Sequence, residues 1–207
     1  MTKRKIDHIV YCVPDLEESV IRFNDFLGVT PSIGGRHLLK GTKNALINLG
    51  NQCYLELLAI DHLNKNITSN RWMGIDYIKE SKITRWAIQS EDLIADQKIL
   101  KTYNPEMGFI EEGQRITQHN ETLKWQMTIP LNKPKVELIP FVVSWKNSNH
   151  HPTDKMEEKC SLKSISFFGN NKLNQSFKDL TLPYKISPSS NVKITATING
   201  PKGDITI

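Results

Sequence analysis

The stretches IDHIVYCVPDLEESVIRFNDFLGV, residues 6–29, and NALINLGNQCYLELLAID, residues 44–61, decide the fold between them. Each sets a polar residue inside an apolar strand pattern. With side chains alternating between faces, His8 falls between Ile6 and Val10, and Glu56 between Tyr54 and Leu58, while Ile9, Tyr11, Leu55 and Leu57 take the opposite face. A buried imidazole and a buried carboxylate both need partners, and a shared metal is one way to supply them. Between the two strands, Asp15 offers a helix N-cap with Glu18 three residues on, the spacing of a capping box. Leu16, Val20, Phe23 and Leu27 follow at helical spacing, and Gly28 supplies the stop. Gly34-Gly35 permits a bend or a close backbone approach, and Gly50-Asn51 makes a turn between strands 44–49 and 53–59. The order is β-α-β-β-β.

Working outward, the opening pattern recurs. ITRWAIQSEDL (83–93) aligns without gaps on IDHIVYCVPDL (6–16), setting Arg85 over His8, Asp92 over Asp15 and Leu93 over Leu16. A helix to about Tyr103 and strands near 109–115, 123–129 and 136–143 complete a second unit. Matching VELIPF to YLELLA puts Glu137 over Glu56. Residues 60–82 read as a polar connection with a short helix near 73–80, and WKNSNHHPTDKMEEK (145–159) has linker composition. A third, partial copy follows. It has a strand over 162–168, Leu173, Phe177 and Leu180 at helical spacing, and strands 192–198 and 204–207 flanking an Asn-Gly-Pro-Lys-Gly turn.

The expected architecture is α+β. Residues 1–145 hold paired β-α-β-β-β modules (6–59 and 83–143) in a cupped mixed sheet, 146–160 form a linker, and 161–207 form the partial module on the same domain. The partial module would extend the sheet or replace the second module as partner of the first, with Ser164 and Thr206 at the positions of His8 and Glu56.

At 207 residues, 38% apolar and 24% charged, the chain has ample material for a core. Its longest apolar run is broken by Glu137 and Pro140, so no membrane span is expected. The start MTKRK lacks a following apolar signal core. Three cysteines (Cys12, Cys53, Cys160) without metal-site spacing read as reduced thiols in a cytoplasm, with Cys12 and Cys53 packing on their strands. The net charge of +5 comes from scattered lysines, with no block or motif for nucleic acid. Asn66, Asn120 and Asn174 head chance glycosylation triplets. His119 and the pair His150-His151 read as solvated, and Trp72, Trp86 and Trp125 as core or interface rings.

Repeated β-α-β-β-β units with a His on the first strand and a Glu on the last resemble the vicinal oxygen chelate superfamily. The opening DHIVYCVPDLEES, the loop GGRHLLKGTKNALINLG and the strand YLELLA are similar to its glyoxalase-like domain proteins. The resemblance implies a metal bound by first- and fourth-strand residues of both modules, here His8, Glu56 and Glu137. Arg85 breaks the pattern, because a guanidinium is no ligand for a cation. It would either replace the metal's charge, leaving a metal-free cup, or face the anionic end of a substrate. The metal would be Zn, Fe, Mn, Co or Ni. Glu56 or Glu137 would then serve as catalytic base, and Arg36, His37 and Asn44 would join Arg85 as substrate contacts on the cleft edge. Gly34, Gly35 and Gly41 would otherwise only shape a turn there, with Asn44 satisfying backbone groups.

Three functions remain open on these grounds. One is a metal-assisted lyase, isomerase or oxygenase for a small polar metabolite. Another is sequestration of a small molecule without chemistry, as in bleomycin-resistance proteins. The third is a regulatory or structural homo-oligomer. The exposed strand edges of such modules invite pairing about a two-fold axis. Light scattering at micromolar concentration is therefore expected to give a homodimer and not the 23.7 kDa monomer.

Overall fold

The computed structural model describes residues 4–116, 122–148 and 150–207. His119 and Asn120 lie outside the described residues, as does the first part of the basic start. The first module runs β1 (Ile6–Cys12), α1 (Leu16–Leu27), β2 (Ser32–His37), β3 (Thr42–Asn48) and β4 (Tyr54–Ile60). The second runs β5 (Lys82–Gln89), α2 (Leu93–Tyr103), β6 (Ile110–Ile116), β7 (Thr122–Thr128) and β8 (Phe141–Ser144). The connection between them holds one short 3-10 turn, Ile75–Tyr77.

The eight strands form one curled sheet in the order β2-β3-β4-β1-β5-β8-β7-β6. The modules meet at the antiparallel pair β1–β5, and each repeats the same internal order outward from that seam. The helix signals behave as their chemistry dictates. Asp15 accepts from the Glu18 amide at 2.8 Å, Asp92 accepts from the Ala95 amide at 3.0 Å, and Gly28 closes α1 at φ 75°.

The convex face of the sheet carries the main core. Ile9, Leu55, Leu57, Trp86, Ile88 and Val142 pack there against Phe23 and Leu27 of α1 and Leu100 of α2. Residues 161–207 complete that layer. They run β9 (Ser161–Gly169), α3 (Asn174–Asp179), β10 (Ile186–Pro188), β11 (Lys193–Gly200) and β12 (Gly203–Thr206), one short strand, β10, more than the expected partial copy. These strands form a separate sheet, β10-β9-β11-β12, rather than an extension of the large one. Phe167, Phe177, Ile194 and Ile198 cover the convex core, and the turn at Gly200–Gly203 reaches α1, where the Lys202 amide donates to the Leu27 carbonyl at 3.2 Å. Ser164 and Thr206 therefore lie far from His8 in topology, in the other sheet. Trp86 is a core ring, as its residue type predicts, with its Nε1 donating to the Leu138 carbonyl at 2.8 Å.

Two registers differ from simple alternation, and both position the site. In the β1–β5 pairing Ile6 faces Ile88 while His8 faces Ala87, so Asp7 is an extra residue, a β-bulge. The bulge sends Ile6 to the convex core with Ile9, correcting the expected face for Ile6, and turns Asp7 and His8 toward the same side. The second difference concerns the last strand of the second module. Val10 lies opposite Glu56, and its gap-free counterpart Ala87 lies opposite Phe141. Phe141, not Glu137, occupies the place of Glu56. The strand begins five residues later than the expected Val136, because Pro130, Pro134 and Pro140 break the preceding segment.

That segment folds over Arg85 instead. The guanidinium donates to the carbonyls of Thr84 (2.7 Å), Leu131 (2.8 Å), Pro134 (2.6 Å) and Lys135 (3.4 Å). Burial pushes the Arg85 guanidinium down to about 10, opposed by the neighbouring Glu137 charge; four carbonyl acceptors on a fixed fork keep it a cation. Arg85 is thus the peg that holds an irregular segment to the seam. An Arg85→Met substitution should strip these carbonyls of their donor and destabilise the fold by about 3 kcal/mol, read by urea unfolding. Lysine should recover less than half, because a point ammonium cannot span the carbonyls that the fork reaches.

Candidate functional site: a histidine–carboxylate chamber in the concave face

The concave face holds a chamber of about 50 Å³ whose polar wall is built by the first module. β1 supplies His8, β2 His37, β3 Asn44 and β4 Tyr54 and Glu56; all five line it. Burial of His8, Asn44 and Glu56 is close to complete, so each partner counts. Asn44 Nδ2 donates to Glu56 Oε1 at 2.6 Å, fixing the carboxylate, and lies 3.5 Å from His37 Nε2. The other glutamate oxygen, Oε2, sits 3.8 Å from His8 Nε2, too far for a direct hydrogen bond. The His8 ring stacks on Tyr54 at 4.7 Å and meets the edge of Phe141 at 5.1 Å.

Behind His8 stands Asp7, fully buried. Its Oδ1 lies 2.6 Å from His8 Nδ1, and its Oδ2 accepts from Trp145 Nε1 at 2.7 Å. The third partner is His151, whose Nε2 is 3.4 Å from Oδ2. The Thr153 amide donates to His151 Nδ1 at 3.3 Å, which makes Nδ1 an acceptor and Nε2 the donor toward Asp7. Burial alone would raise the Asp7 carboxyl. The hydrogen bonds from His151 and His8, with their charge, outweigh that and hold it well below the usual carboxylate range. An ionised Asp7 accepts the Nδ1 proton of His8, so Nε2 is the nitrogen left facing the chamber.

His151 was expected to be solvated and is instead buried against Asp7, brought there by a segment of linker composition. Asp7 itself carries no mark in the alternation pattern except that it interrupts an apolar run. A bulge cannot be read from one strand without its neighbour.

The second module contributes a different wall: Met127, Phe141 and Val143. Glu137 does not line the chamber. It lies outside any strand, its amide donates to the Thr84 carbonyl at 3.0 Å, and its Oε1 accepts from the Ile139 amide at 3.0 Å. Burial raises its carboxyl, with the backbone hydrogen bonds it accepts from Ile139 and Leu138 and the Arg85 charge working against the rise. Arg85 points into its carbonyl cage rather than to substrate or glutamate. Arg36 is tied through Nε to Asp61 at 2.5 Å and reaches only the outer cleft. Of the expected contacts, His37 and Asn44 come together with His8 and Glu56; Arg36, Arg85 and Glu137 do not. Cys12 and Cys53 are buried thiols pushed up to about 12 by desolvation, so neither is a nucleophile.

The donor set also tests the metal. Among the described residues no three His, Cys, Asp or Glu side chains are grouped to hold an ion. One imidazole nitrogen and one carboxylate oxygen face an apolar wall where the other two ligands would stand. A metal held by both modules does not fit these residues.

Outside the chamber the concave face opens into a cleft of about 650 Å³ that shares His37, Trp72, Trp125 and Met127 with it. Trp72 and Trp125 are therefore cleft walls. The model of the glyoxalase-like domain matches residues 6–179. The chain belongs to the glyoxalase-like domain family.

Among solved structures, a hypothetical protein from Staphylococcus aureus shares 18% identity with this glyoxalase-like domain, covers 92% of it and 88% of its own chain, and has a TM-score of 0.66. A methylmalonyl-CoA epimerase from Mycobacterium tuberculosis gives 17% identity, 67% and 85% coverage and a TM-score of 0.41. A Streptomyces coelicolor methylmalonyl-CoA epimerase in complex with 2-nitronate-propionyl-CoA gives 15%, 72% and 99%, and 0.45. No curated protein matches the chain. The glyoxalase-like domain has no helix among its described residues that is long and apolar enough to cross a membrane.

The Asp7 cluster predicts an acid sensitivity. A carboxyl whose folded value is depressed contributes stability that is fully present above its ordinary value near 3.8 and is lost as pH falls below it. Asp7→Asn should cost about 2 kcal/mol at pH 7 and flatten the fall in stability below pH 4, measured by urea unfolding across pH 3–7.

Proposed function

We propose that this glyoxalase-like domain binds a neutral carbonyl compound in the chamber and moves a proton on it, in the manner of an isomerase or lyase. The observation that carries the reading is the Asp7–His8 pair, with Nε2 turned to the chamber, 3.8 Å from a glutamate oxygen. That gap is bridged by no direct hydrogen bond, and a substrate group entering it meets both.

The chemistry follows from the two atoms. Glu56 Oε2 takes a proton from the carbon beside the carbonyl, and that C–H pair becomes the new C=C bond. The carbonyl π pair moves onto oxygen, which takes the Nε2 proton of a protonated His8. Asp7 holds the ring throughout and balances its charge until that proton leaves. Reversal returns the proton to the same carbon or to another. Asn44 keeps Glu56 in place, and His37 lines the entry. A neutral head suits the chamber because Asp7, behind His8, offsets the imidazolium and leaves the Glu56 carboxylate unbalanced in the wall, so an anion would meet negative charge at short range.

A second reading is ligand binding without chemistry. The apolar wall of Met127, Phe141 and Val143 favours it, since the second module supplies no acid or base. Deuterium exchange separates the two. Proton NMR in D2O with neutral enolisable ketones and hydroxyketones should show exchange at the carbon beside the carbonyl, reduced about 100-fold by Glu56→Gln and by His8→Gln. Ligand-induced shifts without exchange above buffer would sink the catalytic reading and leave the binding one.

A further inference from the structure

The space beyond the chamber is much larger than the head group just described. About 50 Å³ admits a few atoms, whereas the adjoining cleft of about 650 Å³ is the size that takes a drug-sized ligand. Its floor is aromatic. Trp125 on β7 pairs across the strands with Gly113 on β6, and a Cβ at Gly113 would collide with the indole. The glycine therefore lets the Trp125 ring lie flat over the β6 backbone, its other neighbour being the Trp145 ring at 5.6 Å.

The charged groups around this floor balance in sign, with Lys40 and Arg36 in ion pairs and Glu112 and Lys124 adding one charge of each kind. Lys40 reaches across the mouth to both oxygens of Glu111, at 2.8 and 2.6 Å, with its ammonium 5.4 Å from the Trp72 ring. Arg36 is held by Asp61, and Glu112 accepts from Gln126 at 2.9 Å. The rim mixes two exposed leucines, Leu38 at 61% and Leu39 at 88%, with exposed polar side chains of Arg36, Glu112, Gln114 and Lys124. A flat indole and two exposed leucines offer apolar surface that a small polar metabolite would leave uncovered.

We propose that the ligand is an aryl-bearing neutral carbonyl or hydroxycarbonyl compound, its oxygen head in the His8–Glu56 chamber and its ring on Trp125. The head group rests on the proposed function; the ring rests on the cleft alone. Aromatic stacking prefers a flat partner to an alkyl chain of equal apolar area.

Calorimetry with three probes tests this: hydroxyacetone, 1-hydroxyoctan-2-one and 2-hydroxyacetophenone, each titrated into the wild type and into Glu56→Gln. The aryl compound should bind at least tenfold more tightly than hydroxyacetone and at least threefold more tightly than the octyl compound. Trp125→Leu should bring the aryl-over-alkyl ratio below threefold. Gly113→Ala, which lifts the indole without removing it, should lower that ratio as well and guards against a Trp125 variant that fails to fold. Equal binding of aryl and alkyl probes, a ratio indifferent to both substitutions, or no binding of any probe overturns the inference. Aryl preference without deuterium exchange overturns only the proton-transfer reading. Exchange without ring preference overturns only this one.

Discussion

One buried carboxylate organises the concave face. Asp7 is fully buried, and it accepts from His8 beside it, from Trp145 just past β8, and from His151 in the segment that follows. A buried anion of this kind is tolerable only while its donors stay in place, because removing one leaves charge uncompensated. The same constraint therefore orients His8, anchors Trp145 beside the Trp125 floor, and helps to pin a segment that Asn48 also holds through the Thr153 and Met156 carbonyls. Chamber, cleft floor and covering segment share one anchor.

The two modules repeat in topology and differ in chemistry. Around the β1–β5 seam the first module places His8 and Glu56 where the second places Arg85 and Phe141. Phe141 turns inward against His8, while Arg85 turns to the carbonyls of the proline-broken segment. Internal symmetry is thus spent twice: one half presents titratable groups, the other an apolar wall and a structural peg. The wall has its own consequence. Phe141 and Tyr54 confine the His8 ring on two sides, so that its remaining edge is the one facing Glu56. A polar residue in place of Phe141 would widen the chamber and let water replace that confinement.

Much of this was legible in the residues. The capping box at Asp15, the Gly28 stop and the gap-free match of 83–93 on 6–16 each state a local rule that the fold obeys, and together they give the tandem modules. His8 and Glu56 emerge from alternation, and His37 and Asn44 from the loop beside them. What alternation could not show is the extra residue at Asp7, because a bulge is defined by the partner strand; Ile6 was assigned to the wrong face for that reason. Glu137 failed differently. VELIPF has strand composition, but Pro140 ends any ladder through it, and a match of letters to YLELLA says nothing about where pairing begins. His151 comes from more than a hundred residues away along the chain, and local composition marks only a polar loop.

The asymmetry also explains why the cleft is where it is. A curled sheet must bury its convex face, and here the helices and the second sheet do so with an unbroken apolar layer. The concave face has a thinner cover, in which Trp72, Met73 and Ile75 of the connection pack on a smaller cluster of Val10, Leu58, Ala87, Phe141 and Val143. The edge strands β2 and β6 lie at opposite ends of the sheet, yet Lys40, in the turn between β2 and β3, reaches Glu111 on β6. Curling has brought the ends together, and a partly exposed ion pair is a weak tie between them. The seam is held more firmly, by the buried donors and acceptors of Asp7 and Arg85. The mouth and the wall that carries His8 and Glu56 are therefore held by different interactions of the same sheet.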